Sequence, residues 1–282
     1  MKWVDSHHHF WDPSRRDYYW MDAEILSPIR VSKSPEDLRP LINRVGIAHT
    51  VIVQTIPSLD ETREFLQTAA DTDFVAGVVG WADLTDPDID IVLANLKSGP
   101  GGKYLVGIRH QIHDEENPDW AARPDVINGV AAVGRAGLVY DLLTRERELP
   151  ASLKLVAANP QVTFVMDHIS KPRIAEGEMQ PWQDLMTELA GFNNVWCKIS
   201  GMVTEADWKN WTVEDLEPYV AHVIKSFGTD RLLFGSDWPV CNLAGDYRSV
   251  FSSAETLVRK LAPEAFDKVF AQNAVRLYGL KV

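Results

Sequence analysis

An apolar, β-branched run followed by a longer amphipathic run recurs eight times along the chain, and this repeat constrains the fold more than any other feature. Thr50-Val51-Ile52-Val53 and Leu232-Leu233-Phe234 are typical of the apolar runs. Continuous runs of this kind favour strands that are covered on both faces, as in a parallel sheet. The predicted strands are Trp3–His7, His49–Gln54, Phe74–Trp81, Leu105–His110, Leu138–Leu142, Val162–His168, Val195–Ser200 and Arg231–Ser236.

Helix start signals lie between the predicted strands. Ser34 is placed as an N-cap with Pro35 at the first helical position, and Ser58 and Glu61 have the spacing of a capping box. The remaining helices are predicted over roughly 86–97, 124–136, 145–158, 181–190, 213–227, 246–261 and 263–278.

Eight strands, each followed by a helix, predict a closed α/β barrel of the (β/α)₈ TIM type, and 282 residues is an ordinary length for one such domain. We therefore expect a single domain over residues 1–282, although length alone leaves two domains open. The alternative fold, an open doubly wound sheet, usually carries a glycine-rich turn after its first strand. Here the first strand ends in histidines instead.

The charge balance argues against two classes of partner. The net charge is -12, from 28 basic and 40 acidic residues, whereas nucleic acids and anionic membranes reward a basic surface. The two cysteines, Cys197 and Cys241, do not suggest a disulfide framework, so we expect a cytoplasmic protein. No apolar run approaches the ~20 residues that span a bilayer. A homo-oligomer is left open.

Polar side chains end several predicted strands, where catalytic groups of such barrels lie. His7 and His9 end strand one and share a face, because residues i and i+2 of a strand point the same way. Arg109 ends strand four, His168 ends strand six and Asp237 ends strand eight. Neutral imidazoles with one carboxylate suit Zn²⁺, or they can polarise a carbonyl and accept a proton without a metal.

Three segments resemble the amidohydrolase 2 branch of the amidohydrolase superfamily. They are the opening Val4-Asp5-Ser6-His7-His8-His9-Phe10-Trp11-Asp12, the strand-six motif Asp167-His168-Ile169-Ser170-Lys171-Pro172 and the strand-eight motif Phe234-Gly235-Ser236-Asp237-Trp238-Pro239. Further segments resemble its sugar-lactonase subgroup, of the L-fuconolactonase and L-rhamnonolactonase type: Gly107-Ile108-Arg109-His110-Gln111, Cys197-Lys198-Ile199-Ser200-Gly201 and Thr204-Glu205-Ala206-Asp207-Trp208.

The resemblance implies hydrolysis of a cyclic ester, a sugar lactone, to the open-chain sugar acid. It carries over His7, His9 and His168 as the imidazoles, with Asp237 as the residue that activates water. Many amidohydrolases hold two metals with a carboxylated lysine on strand four, where this chain has Arg109. We therefore expect one Zn²⁺ or none, held by the three histidines and Asp237, with Glu115 as a further candidate ligand.

In the hypothesised mechanism, Asp237 takes a proton from water, and His168 and Arg109 stabilise the oxyanion. The substrate is a small-molecule sugar lactone. Aromatic faces can pack on a sugar ring, and polar side chains can read its hydroxyl groups. The candidate substrate contacts near the barrel mouth are Trp11, Gln54, Trp81, Tyr140, Lys171 and Trp238.

Other interpretations remain open from the sequence. A Zn²⁺-dependent decarboxylase of the same branch and a non-catalytic sugar-acid binding protein are the alternative functions. The histidines could be structural, Asp237 could cap the next helix, and Arg109 could simply pair with Asp141 or another interior acid. Lys198 could belong to a structural ion pair as easily as to the catalytic site.

Overall fold

Eight parallel strands form one sheet in the order β1 to β8 in the computed structural model, which describes residues 2–282. The backbone amides of His9 and Asp237 donate to the carbonyls of Trp238 (2.7 Å) and His7 (2.8 Å), which brings the first strand against the last. This confirms the predicted (β/α)₈ barrel. The strands are β1 Trp3–His8, β2 Ile47–Val53, β3 Val75–Gly80, β4 Leu105–His110, β5 Val139–Leu142, β6 Phe164–Met166, β7 Val195–Ile199 and β8 Leu232–Phe234.

Helices on the outside of the barrel follow the strands. They are α1 Pro35–Val45, α2 Leu59–Asp71, α3 Ile89–Ser98, α4 Pro124–Arg135, α5 Leu149–Ala158, α6 Trp182–Ala190, α7 Val213–Phe227, α8 Tyr247–Leu261 and α9 Asn273–Tyr278. Helix α1 begins as predicted, with the amide of Ser34 donating to the side chain of Asp37 at 2.9 Å. In α2, Ser58 accepts from the amide of Glu61, but the Glu61 carboxylate turns inward to the amides of Thr55 and Ile56. Only half of that predicted capping box forms.

Some predicted boundaries are wrong. Strand β6 ends at Met166 and β8 ends at Phe234, so the segments that follow are turns rather than strand. The long helix predicted over 263–278 is interrupted, because a π-helical segment at Lys268–Gln272 precedes α9. No helix within residues 2–282 is long and apolar enough to cross a membrane.

Part of the interior of the barrel is apolar. The inward-facing side chains there pack into one cluster with the C-terminal segment, which contributes Tyr278 and Leu280. The members from the strands are Val4, Val51, Val53, Val79, Val139, Val165 and Leu233. The side chains of the alternate positions face the helices and join the larger outer core. We call the inner cluster the apolar layer.

Candidate active site

His7 and His9 lie side by side at the carboxyl end of β1. The Nε2 atoms of the two rings are 3.3 Å apart, and both rings are buried. The pairing of β1 with β2 shifts between Asp5 and His8, so inward-facing Val4 is followed by inward-facing His7 after three residues rather than two. His8 points the other way and contacts the hydroxyl of Thr50 at 2.8 Å. This irregularity in β1 brings the histidine pair into the mouth of the barrel.

His168 follows β6 in a left-handed turn. The φ angles of residues 168–171 are 53°, 46°, 58° and 49°, a backbone region that is costly for residues other than glycine. The turn directs the ring of His168 to the ring of His7, with 4.4 Å between centroids, while Nδ1 lies 3.0 Å from the hydroxyl of Ser200. Gly201 must be glycine here, because a Cβ atom would lie 2.5 Å from the His168 Nδ1.

Asp237 follows β8 and also has a positive φ, 57°. Its Oδ1 atom lies 3.3 Å from His9 Nε2, 3.7 Å from His168 Nε2 and 3.8 Å from His7 Nε2. The carboxylate therefore faces the three imidazoles. The cap of α8 is Asp246, whose side chain accepts from the amide of Ser249, so Asp237 is not a helix cap.

The ligand atoms of His7, His168 and Asp237 all lie within 4.8 Å of one another, a spacing that could hold a metal ion. Burial lowers the pKa of His7 and of His168 well below 6.5, so both rings are neutral and offer lone pairs. Burial raises the pKa of Asp237, but the electrostatic effect of the facing His168 and the hydrogen bond with His9 outweigh it, and the net pKa lies below 3.8. The site thus combines neutral imidazoles with an ionised carboxylate.

A network of buried charges lies directly beneath the histidines. The Lys198 Nζ atom is 2.6 Å from Asp141 Oδ2, 2.9 Å from Asp167 Oδ1 and 3.2 Å from His7 Nδ1. Asp167 also accepts from Arg109 Nη1 at 3.0 Å. Arg109, Asp141 and Lys198 lie on β4, β5 and β7, and Asp167 directly follows β6. We call these four residues the charged layer, which lies above the apolar layer. Arg109 therefore pairs with an interior acid, which is Asp167 rather than Asp141, and Asp141 pairs with Lys198.

The charged layer places a cation at each ring nitrogen of His7. Arg109 Nη1 lies 3.3 Å from His7 Nε2 and Lys198 Nζ lies 3.2 Å from His7 Nδ1, and both cations can only donate. Asp167 Oδ1 lies 3.3 Å from the same Nδ1 atom. Burial opposes the charge of Lys198, but Asp141 and Asp167 outweigh it and raise its pKa. Burial likewise opposes the charge of Asp167, whose pKa is nevertheless held well below 3.8 by Lys198 and His7.

A cavity of about 300 Å³ opens above these groups. His9, Arg109, His168 and Asp237 form its floor. One part of its wall is apolar and is formed by Trp20, Leu26, Leu143, Val240 and Leu243. The rest is largely polar and is formed by Thr55, Gln111, His113, Asp114, Arg145, Lys171, Thr204, Glu205 and Trp208. This volume suits a single small sugar-sized ligand.

Of the candidate substrate contacts, Lys171 lines the cavity. The other five lie elsewhere. Gln54, Tyr140 and Trp238 are fully or almost fully buried behind the barrel wall. The ring nitrogen of Trp11 donates to the carbonyls of Ile29 and Val31, and that of Trp81 donates to His110 Nδ1 at 3.1 Å.

Strand alternation explains the position of Tyr140, because its neighbour Asp141 faces the barrel axis. Gln54 directly follows the inward-facing Val53 at the end of β2, and Trp238 lies in the turn after β8. We therefore assign no substrate contact to these residues. Glu115 is also apart from the possible metal ligands, because its Oε1 atom pairs with His110 Nε2 at 2.8 Å.

Sequence reasoning gave no role to Asp167 or Glu205 and left Lys198 ambiguous. The sequence did contain a signal for the charged layer. Asp141, Asp167 and Lys198 each lie two positions after an apolar residue that packs in or against the apolar layer. Those apolar residues are Val139, Val165 and Trp196, respectively. No comparable signal marked Glu205, because it lies in a 3₁₀ turn at Val203–Glu205 and reaches the cavity only through the course of that loop.

The amidohydrolase family profile matches residues 4–280. The chain belongs to the amidohydrolase family. An L-fucono-1,5-lactonase of Burkholderia ambifaria is 40% identical to this amidohydrolase over 281 residues, which covers 98% of this chain and 95% of the relative. An L-fucono-1,5-lactonase of Burkholderia multivorans is 34% identical over 288 residues, covering 98% and 96%.

A solved structure supports the same relationship. The crystal structure of an amidohydrolase from Burkholderia multivorans with bound Zn superimposes on this amidohydrolase with a TM-score of 0.93, at 33% identity and with 100% of both chains covered. That protein holds Zn in its crystal; in the present chain, His7, His168 and Asp237 form the group that could hold a metal ion.

Proposed function

We propose that this amidohydrolase hydrolyses a sugar-derived lactone, such as L-fucono-1,5-lactone, to the open-chain sugar acid. The observation that carries the proposal is the convergence of His7, His9 and His168 on Asp237, which lies on the floor of a small cavity, in a chain 40% identical to an L-fucono-1,5-lactonase. The polar and apolar parts of the cavity wall fit the two kinds of surface that a sugar lactone presents.

Asp237 is the group we assign to proton transfer. Its low pKa keeps the carboxylate ionised at neutral pH, and His9 Nε2 lies 3.3 Å from its Oδ1 atom. In the reaction, Asp237 takes a proton from water and the oxygen of that water bonds to the lactone carbonyl carbon. The ring C–O bond then breaks, and the departing alkoxide takes the proton from Asp237. Water and ester are thereby converted to acid and alcohol, with no other reactant.

Arg109 and His168 are the groups we assign to the developing negative charge on the carbonyl oxygen. Both line the cavity floor, and Arg109 is held rigidly by Asp167 and by the carbonyl of Gln54. Preorganised donors of this kind are usually the largest single contribution to such a reaction, with one donor worth about 3–4 kcal/mol.

One divalent cation fits the same floor. We propose His7, His168 and Asp237 as its ligands, with His9 adjacent, because the two neutral imidazoles and the ionised carboxylate are donors that Zn²⁺ prefers. When bound, such a cation supplies Lewis acidity to the carbonyl. The guanidinium of Arg109, 3.3 Å from His7 Nε2, repels any cation there. We therefore expect weak binding that a chelator reverses.

The proposal is tested with L-fucono-1,5-lactone and a pH indicator, in untreated and chelator-treated protein. Lactone opening releases an acid and produces no CO₂. Release of acid at an enzymatic rate is the expected result, and the chelated sample reports the metal dependence. Tight binding of the lactone with no acid released would instead indicate a binding protein. CO₂ release from an aromatic or keto acid would favour the decarboxylase.

A further inference from the structure

An ion pair on the cavity wall has no role in the chemistry described above. Lys171 Nζ and Glu205 Oε1 are 3.0 Å apart, and both side chains line the cavity. The side chains are 15% and 21% exposed, so the pair faces the cavity while most of its surface is covered. One oxygen of Glu205 accepts from Lys171, which leaves the other oxygen to accept from a ligand.

The two residues are held at a fixed distance from the catalytic groups. Lys171 ends the left-handed turn that begins at His168, and its amide donates to the His168 carbonyl at 2.8 Å. Glu205 ends a 3₁₀ turn, and its carbonyl accepts from the amide of Ala175 at 3.0 Å, which joins the two loops. Lys171 also lowers the pKa of Asp237 electrostatically, after the larger effects of burial, His168 and His9, so its charge lies near the reacting groups.

An ammonium beside a carboxylate is complementary to two neighbouring hydroxyl groups. The ammonium only donates and the carboxylate only accepts, whereas a hydroxyl group does both. One hydroxyl of a vicinal diol can therefore accept from Lys171 while the next donates to Glu205. The apolar wall formed by Trp20 and Leu26 offers no such partners for hydroxyl groups.

Building on the proposed lactonase function, we infer that Lys171 and Glu205 recognise two adjacent hydroxyl groups of the lactone. The pair thereby makes the enzyme select polyhydroxylated lactones over unsubstituted ones. Hydrogen bonds to charged groups of this kind correspond to a change of about 10- to 100-fold in affinity.

The test compares Glu205→Gln and Lys171→Met with wild type on two substrates, L-fucono-1,5-lactone and δ-valerolactone, which has the six-membered ring but no hydroxyl groups. For the hydroxylated lactone we expect kcat/KM to fall about 10- to 100-fold, mainly through KM. For δ-valerolactone we expect a much smaller fall, because this lactone has no hydroxyl groups for the pair to bind. Glu146→Gln is the matched control, because Glu146 pairs with Arg173 at 3.2 Å outside this cavity.

An equal loss on both lactones would overturn the inference, since the pair would then serve the reaction or the fold rather than the hydroxyl groups. An unchanged KM for the hydroxylated lactone would overturn it as well. If neither variant folds, wild type is assayed on lactones that each lack one hydroxyl group. The value of kcat/KM must then fall when either one of two adjacent hydroxyl groups is missing. Failure of the wild type on every lactone would instead reject the proposed function itself.

Discussion

The apolar layer and the charged layer occupy the same barrel, one above the other, and are stabilised in different ways. In the apolar layer, Val51, Val165 and Leu233 are stabilised by close packing with one another and with the C-terminal segment below them. In the charged layer, Lys198 and Asp167 are held by pairing, and each is fully buried. Burying a charge without a partner is costly, so the upper layer has little tolerance for single changes. The same paired charges hold the ring of His7 in place from below.

The largest expected effect concerns Asp237, whose carboxylate lies above the charged layer. Replacing Asp237 with Asn removes the proton acceptor while keeping the size of the side chain. We expect kcat to fall by about 10²- to 10⁴-fold, since this is the usual contribution of general acid–base catalysis. Steady-state rates of acid release measure the loss, and circular dichroism checks the fold. Asp60→Asn, on the exposed face of α2, is the control. Near wild-type turnover in Asp237→Asn would show that another group activates water.

The next prediction distinguishes charge pairing from side-chain volume as the source of stability in the charged layer. Lys198→Met keeps the length of the side chain but leaves Asp141 and Asp167 without their shared cation. We expect the free energy of unfolding to fall by about 3–5 kcal/mol, as measured by urea denaturation. Lys154→Met is the control, because Lys154 pairs with Asp119 at 3.3 Å on the surface and should cost under about 1 kcal/mol.

Adding Asp141→Asn to Lys198→Met sharpens the same comparison. The double variant loses one cation and one carboxylate, and Asp167 keeps Arg109 as a partner. We expect it to be more stable than Lys198→Met alone. If the double variant is instead less stable than the single one, volume rather than charge pairing dominates the upper layer, and the contrast between the two layers fails.

In the apolar layer we expect stability to depend on side-chain volume rather than on charge pairing. Leu233→Ala creates a cavity next to the C-terminal segment, and we expect a loss of about 3 kcal/mol in the free energy of unfolding. The kcat should remain close to wild type, because no catalytic group pairs with Leu233. Ile91→Ala, with the side chain largely exposed on α3, is the matched control and should cost far less. A large fall in kcat with Leu233→Ala would mean that the two layers are mechanically coupled.

The sequence predicts the layers unequally. Eight apolar runs were enough to predict the barrel, and alternation along β5 places Asp141 inward. The same alternation excludes Tyr140 from the cavity, a step that its aromatic character obscured. The register shift in β1 and the left-handed turn at His168 could not be predicted, because both depend on tertiary packing that overrides local preference. The cavity wall depends on loops, and the strand pattern contains no information about them.

A buried carboxylate outside both layers offers the smallest and most specific test. Glu61, at the start of α2, accepts from the amides of Thr55 (2.8 Å) and Ile56 (3.2 Å) and from the Thr55 hydroxyl, rather than from a contacting cation. Burial raises its pKa from 4.5 to about 7. Asp167, with Lys198 and Arg109 beside it, has a lowered pKa under similar burial. The cations beside Asp167 thus outweigh its burial, whereas the hydrogen bonds to Glu61 do not outweigh the burial of Glu61.

The raised pKa means that folding favours protonated Glu61. Its contribution to stability is full below pH 4.5 and is lost as the pH rises through about 7. Between pH 5 and 7, wild type should lose about 2 kcal/mol relative to Glu61→Gln, whose side chain does not titrate. Urea denaturation at both pH values measures this difference. The other titrating groups contribute equally to both proteins, so their effects on stability cancel. Glu64→Gln, on the same helix and paired with Arg16, should track wild type. If Glu61→Gln also tracks wild type, then the hydrogen bonds from Thr55 and Ile56 stabilise the carboxylate as effectively as a cation would. Burial without a charged partner would then be as well tolerated as the pairing in the charged layer.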